Sequence, residues 1–394
     1  MAFTAVHKFI RTEIAGGVFV MLAAVLALLV ENSPLSGMYH HFLHMDLGMT
    51  IGAFVMIKPM HLWINDGLMS VFFLLVGLEI KREMLVGELS CLSKSLLPVI
   101  GAIGGMLMPA LIYFMITVPD FDAMKGWAVP TATDIAFALA ILALLGDKVP
   151  TSLKMFVTAL AIFDDIGAIA IIALFYASDI SMGALGVAGI CMVILLGMNL
   201  LNVVKLTPYF IVGALLWFCV LNSGVHATLA GVIVALAIPM RNVHNKSHSP
   251  LQNLERDLHP YVAFGIMPLF AFANAGVSLS GFTMESLTHP ITLGIIAGLF
   301  LGKQLGIFGA TSLALKMGIC EMPKGCRFGH IYGASLLCGV GFTMSLLIGM
   351  LAFDLQHPSF SPLVRYGVIL GSLLSGLVGY YELAFMGKAK QYHH

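Results

Sequence analysis

From Leu153 to Ala177 the chain runs for 25 residues with three formal charges, Lys154 near one end and Asp164-Asp165 in the middle. A helix of that length rises about 37 Å, enough to cross the roughly 30 Å hydrocarbon core of a bilayer. Apolar stretches of this kind recur along the sequence. With soft edges, twelve lie near Ile14–Val30, Leu62–Ile80, Leu96–Val118, Trp127–Leu145, Leu153–Ala177, Met182–Leu201, Thr207–Leu221, Gly224–Ile238, Tyr261–Leu279, Ile291–Leu315, Gly329–Ala352 and Leu363–Ala384. Their solvent is lipid. Charged residues make up 10% of the chain and hydrophobic ones 59%, whereas a soluble domain carries about 25% charged residues to cover its surface. Lys8 and Arg11 ahead of the first stretch resemble the start of a secretion signal, but eleven later spans favour a retained first helix.

The basic residues test this partition independently, because cytoplasmic connections of membrane proteins are enriched in Lys and Arg. With the N-terminus placed in the cytoplasm, 16 of the 20 basic residues fall inside and three (Lys58, Lys125 and Arg365) outside, Lys303 remaining within a span. Twelve spans with both termini cytoplasmic is the expected topology. The segment before the second span alternates Leu47, Met49 and Ile51, then Gly52-Ala53, then Phe54 and Met56, the pattern of a small extracytoplasmic hairpin near residues 45–58. The formal net charge is zero, which gives no footing for nucleic acid. Six scattered cysteines match no common zinc spacing, even where Cys320 and Cys326 precede His330, and read as buried or loop thiols.

Four charged groups remain deep in spans: Asp134, Asp164, Asp165 and Lys303. Each costs roughly 2.5–3.5 kcal/mol at a helix centre. Three acids and one base cannot neutralise one another, so at least one carboxylate holds a proton or a cation. Two spans also look broken, one at Pro130 in Trp127-Ala128-Val129-Pro130-Thr131-Ala132-Thr133-Asp134 and one at Gly339 and Gly341 in Cys338-Gly339-Val340-Gly341. Proline removes a backbone donor and disfavours helix just before it. Non-helical backbone at membrane depth persists only where it is buried in protein or lines a cavity. If spans three to five and ten to twelve are matching triplets, both breaks fall in the middle member, the arrangement that marks a transporter site. Asp134 and Lys303 then suit the partial charges of the half-helix ends.

At these residues a family resemblance becomes specific. Trp63-Ile64-Asn65-Asp66-Gly67-Leu68-Met69, Phe72-Phe73-Leu74-Leu75-Val76-Gly77-Leu78-Glu79-Ile80-Lys81-Arg82-Glu83, Pro130-Thr131-Ala132-Thr133-Asp134-Ile135-Ala136-Phe137, Phe163-Asp164-Asp165, Pro268-Leu269-Phe270-Ala271-Phe272-Ala273-Asn274-Ala275-Gly276 and Gly341-Phe342-Thr343-Met344-Ser345 resemble the NhaA sodium/proton antiporters nearly end to end. The resemblance implies an all-α polytopic membrane protein of about twelve helices, with spans 3–5 and 10–12 as inverted repeats whose broken members cross at mid-membrane. It implies Asp165 as a principal cation ligand, and Asp164 alternating between the cation path and a salt bridge to Lys303. Thr133 and Asp134 would sit at the crossing, and Glu79, Glu83, His226, Glu255 and His259 would serve the pH response. The expected function is electrogenic, pH-regulated exchange of Na+ or Li+ for H+ in the bacterial inner membrane. No cofactor beyond the transported ions is implied, membrane lipid is a partner, and dimerisation would run through the hairpin.

The chemistry is coherent. Small hard cations prefer oxygen ligands. A carboxylate that is buried beside another carboxylate holds its proton more tightly, towards physiological pH, where sodium competes for the same oxygens. Enzymatic readings fare worse. A prenyltransferase wants further acids at helical spacing, yet Ile166-Gly167-Ala168 follows the pair. An intramembrane aspartyl protease leaves Asp164 without a role and wants a Gly-x-Gly run that is absent before these aspartates. A sodium-coupled symporter on the same fold differs only in needing an organic substrate.

Overall fold

A computed structural model of the chain describes residues 2–51, 54–87, 92–177, 181–240, 249–353 and 357–386. In chain order its principal elements are α1 (Ala2–Glu31), α2 (Ser36–His44), strands β1 (Asp46–Ile51) and β2 (Phe54–Pro59), α3 (Met60–Val86), α4 (Ser95–Thr117), α5 (Phe121–Thr131), α6 (Ile135–Leu144), α7 (Thr151–Phe175) and α8 (Met182–Leu200). There follow α9 (Leu206–Leu221), α10 (Thr228–Ala237), α11 (Pro250–Ala275), α12 (Pro290–Lys316), α13 (Phe328–Leu337), α14 (Phe342–Phe353) and α15 (Pro358–Met386). Seven of these, α3, α4, α7, α8, α11, α12 and α15, are long and apolar enough to cross a membrane unaided. Three further pairs qualify as bent units: α1 with α2, α5 with α6, and α13 with α14. The chain is an all-α polytopic membrane protein.

Helices α9 and α10 are shorter apolar segments of 16 and 10 residues. The stretch expected as a span from Gly224 to Ile238 is helical only from Thr228, because Gly224 takes φ 81°, a left-handed conformation that starts no right-handed helix. Strands β1 and β2 pair antiparallel from Asp46↔Pro59 to Ile51↔Phe54, and the expected Gly52-Ala53 turn lies outside the described residues.

Two compact units partition the chain. One comprises Leu29–Ser90 and Ile169–Ala273. Its core gathers Leu74, Leu78, Tyr209, Leu216, Ala235 and Ile238. Here α10 lies hard against α3, since a methyl group on Gly231 would collide with the Ser70 carbonyl and one on Gly77 would meet Ala235 Cβ at 2.7 Å. Lipid offers no hydrophobic drive between helices, so such close backbone contact supplies the attraction by dispersion.

The other unit comprises Met1–Leu28, Cys91–Ala168 and Asn274–His394. Its helix α12 carries Gly298, Gly302 and Gly306 at four-residue spacing, on one face. A side chain on Gly306 would strike the Gly104 carbonyl of α4, and one on Gly302 would stand 2.6 Å from Pro109 Cα. The two backbones therefore touch along this stripe. Lys303 sits within it, between two π-helical stretches, Gly298–Gly302 and Gln304–Phe308. Such widened turns interrupt the regular ladder and commonly accompany functional side chains.

Candidate functional site

Helices α5 and α6 meet at a bend of 45°, and α13 and α14 at one of 46°. Pro130 lies two residues ahead of the first break rather than in it. The 3-10 helix Lys125–Thr131 runs through the proline, and the chain first leaves helical geometry at Ala132, with φ −85° and ψ 147°. A 3-10 turn accommodates the proline that a regular α-helix interior rejects. In the second break, neither Gly339 nor Gly341 has positive φ. What these positions require is space: a methyl on Gly341 would stand 2.8 Å from the Ala132 carbonyl, and one on Gly339 would collide with the Leu299 carbonyl.

The two breaks bind each other. The Asp134 amide donates to Val340 O at 2.7 Å, and Thr133 Oγ1 lies 2.9 Å from Cys338 O, a donor facing the C-terminal end of α13. The Asp134 carboxylate caps two helices at once. One oxygen accepts from Phe137 N of α6 at 3.2 Å, while the other accepts from Thr343 N of α14 at 3.0 Å and Thr343 Oγ1 at 2.5 Å. Each helix N-terminus carries about half a positive charge. Two such ends balance one carboxylate, which accounts for an aspartate that is only 1% exposed.

Asp164 and Asp165 stand near the middle of the 25-residue helix α7, about 20 Å from its start, and are 1% and 6% exposed. Lys303 Nζ, fully buried, donates to Asp164 Oδ2 at 2.6 Å and to Thr133 Oγ1 at 2.9 Å. The Thr133 hydroxyl in turn lies 2.6 Å from the same Asp164 oxygen. Having one proton, it serves either that carboxylate oxygen or Cys338 O at a time. A triangle of ammonium, hydroxyl and carboxylate thus joins α12 and α7 to the broken segment. Among the described residues Asp164 Oδ1 is buried without a hydrogen-bond partner. An oxygen in that condition is costly unless something occupies it. The arrangement offers a cation the free Asp164 oxygen and the neighbouring Asp165 carboxylate, with an ammonium competing for Asp164.

The residues expected to serve a pH response all belong to the other unit. Arg82 Nε bridges both Glu255 oxygens at 2.9 and 3.0 Å, and its Nη1 meets Glu83 at 2.5 Å, joining α3 to α11. Glu79 precedes Glu83 by one turn on α3, and His259 follows Glu255 by one turn on α11. Lys81 Nζ caps the C-terminal end of α10 through Leu236 O and Ile238 O at 2.6 and 2.7 Å. His226 belongs to a different group. It precedes α10, pairing with Thr228 Oγ1 at 2.8 Å and approaching Asp66 at 3.8 Å, with Lys58 3.7 Å from that aspartate. The ten-residue α10, about 15 Å long, separates it from the Arg82–Glu255 cluster. Sequence reasoning missed Thr343 and the pairing of Arg82 with Glu255. The hydroxyl two residues beyond Gly341 and the basic residue set among Glu79 and Glu83 were the available signals.

The sequence profile of the family described as Na+/H+ antiporter 1 matches residues 7–383. The chain is 54% identical over 373 residues to the Na(+)/H(+) antiporter NhaA of Pseudomonas fluorescens strain Pf-5, covering 95% of this chain and 94% of that protein. It is 52% identical over 383 residues to the protein of the same name from Psychrobacter arcticus, covering 97% and 95% of the two chains. With that of Bordetella parapertussis the identity is 56% over 378 residues, covering 95% and 94%.

Proposed function

The chain belongs to the Na+/H+ antiporter 1 family, and from that premise we propose that it exchanges Na+, or Li+, for H+ across the bacterial inner membrane by electrogenic, pH-regulated alternating access. It is a transporter and not an enzyme. The observation that carries the mechanism is the fully buried Lys303–Asp164 pair at 2.6 Å, next in sequence to a second buried aspartate and with one Asp164 oxygen unmatched. In the cation-free site the ammonium and the Thr133 hydroxyl hold Asp164. An arriving Na+ takes oxygens from Asp164 and Asp165, displacing a carboxyl proton, and weakens the hold of Lys303. Return of protons restores the pair. Because the exchange is electrogenic, more than one proton returns for each Na+ carried, and the two loaded states differ in net charge at the site. Asp134 stays at the crossing as the fixed counter-charge of α6 and α14. The acid–base cluster around Arg82 and Glu255 biases the pH response, and His226 acts through Asp66.

In proteoliposomes holding a proton gradient, added Na+ should discharge it with no organic substrate present; a requirement for such a substrate would instead indicate a symporter. Apparent Na+ affinity should improve with pH by up to about tenfold per unit for each proton displaced. Saturating Na+ should therefore restore exchange at low pH. Activity that stays low at saturating Na+ would mean that pH acts through an inactive conformation and not by competition.

Twelve crossings follow if α5–α6 and α13–α14 each count as one and α1, α9 and α10 join the seven long helices, with both termini cytoplasmic. Reporter fusions after Arg82, Arg241 and Lys390 should report cytoplasm, and those after Asp120 and Gln356 the outside. Two or more reversed reporters would sink this topology. Spans 3–5 and 10–12 are read as inverted repeats, the β1–β2 hairpin as the contact of a homodimer, and lipid as the remaining partner.

A further inference from the structure

We propose that His44 and His61 form a binding site for a divalent transition-metal ion of the zinc and copper class. His44 ends α2, and His61 lies in the first turn of α3, beyond β1 and β2 in sequence but adjacent in space. Their ring centroids are 5.3 Å apart with planes inclined by 52°. His44 Nδ1 lies 2.9 Å from His40 O and His61 Nδ1 lies 3.1 Å from Leu43 O. A carbonyl oxygen only accepts, so in both rings Nδ1 carries the proton and donates. In the neutral ring that tautomer leaves Nε2 with its lone pair. This is the preparation that metal-binding histidines receive, with the second ring nitrogen tied to a backbone carbonyl that fixes tautomer and orientation.

The spacing fits as well. With metal–nitrogen bonds of about 2.0–2.1 Å and tetrahedral angles, two imidazoles on one ion have centroids about 5.2 Å apart. Both orienting carbonyls belong to the closing turns of α2, whose negative end favours a cation. His40 stands one turn before His44, with ring centroids 6.2 Å apart, and its Nε2 is 3.1 Å from the Glu31 carboxylate. Among the described residues no three histidine, cysteine or acidic groups surround one point. The site is therefore a two-imidazole platform, completed by water or by His40 after release from Glu31. Borderline divalent ions accept such imidazole and water sets, whereas Na+ and Mg2+ do not favour them. Bound metal would clip α2 to the start of α3. Stacked surface histidines without affinity are the alternative.

The experiment uses the full chain with His393 and His394 changed to alanine in every sample. Zn2+ titration calorimetry should find one site, weakened at least tenfold by His44→Gln and equally by His61→Gln, while His41→Gln leaves it unchanged. One equivalent of Cu2+ bound to the parent protein should show two-imidazole ligation in its electron paramagnetic resonance spectrum, a readout that needs no site variant. Affinity within twofold of the parent in both variants, or a copper spectrum without two nitrogen ligands, would overturn the proposal.

Discussion

An Asp165→Asn variant is expected to insert and fold as the parent does and to lose Na+-driven proton movement. Asparagine keeps the shape of the side chain while removing a charge that costs roughly 2.5–3.5 kcal/mol at a helix centre, so the fold should survive the change. The cation, however, loses a charged oxygen ligand and the proton its acceptor. The loss of exchange should exceed the roughly 10–100-fold that removing a mere supporting residue costs a metal site. Proteoliposome exchange and thermal unfolding in detergent, measured on the same preparation, separate the two effects. Retained exchange would remove Asp165 from the role of principal ligand. Asp164→Asn should likewise abolish exchange, but here stability also changes, because Lys303 loses its partner.

That coupling gives the second large effect. Lys303 and Asp164 are both fully buried in their side chains and meet at 2.6 Å. Removing one member of a buried pair strands the other and costs about 3–5 kcal/mol, whereas replacing both by uncharged groups is often nearly neutral. Lys303→Met should therefore lower the unfolding temperature markedly, and adding Asp164→Asn to it should recover most of the loss. Methionine is chosen because it fills similar volume, which keeps a cavity from supplying the same result. Strictly additive losses in the two single variants would show that the pair contributes no coupling.

The buried charges were legible because charge inside an apolar run is its own signal. Asp134, Asp164, Asp165 and Lys303 needed no tertiary information to be singled out, and Gly339 and Gly341 marked a break that the structure contains. What the sequence withheld was which group meets which. Thr133 was expected at the crossing, but that its hydroxyl lies within hydrogen-bond reach of Lys303, Asp164 and Cys338 O could not be read from the chain. Asp134 was expected to balance helix ends, but its service to two helices depends on Thr343, a residue 209 positions away. Pro130 drew attention to the first break, yet the backbone departs at Ala132, because a 3-10 helix absorbs the proline. The glycine stripe of α12 is visible as a spacing, but only packing shows that Gly306 faces the Gly104 carbonyl. The residues grouped for the pH response separate in space for a similar reason: His226 and Glu255 lie at opposite ends of the distance that α10 spans, and a linear chain does not display that length.

The central claim is that Na+ and H+ compete for one carboxylate site. Calorimetric Na+ binding to the detergent-solubilised protein, repeated in buffers of different ionisation enthalpy, measures it most directly, since the dependence on buffer counts the protons released. Release of at least one proton per Na+ bound, with affinity rising as pH rises and the heat abolished in Asp165→Asn, is the predicted result. Na+ binding that releases no proton and keeps the same affinity from acid to alkaline pH would contradict it.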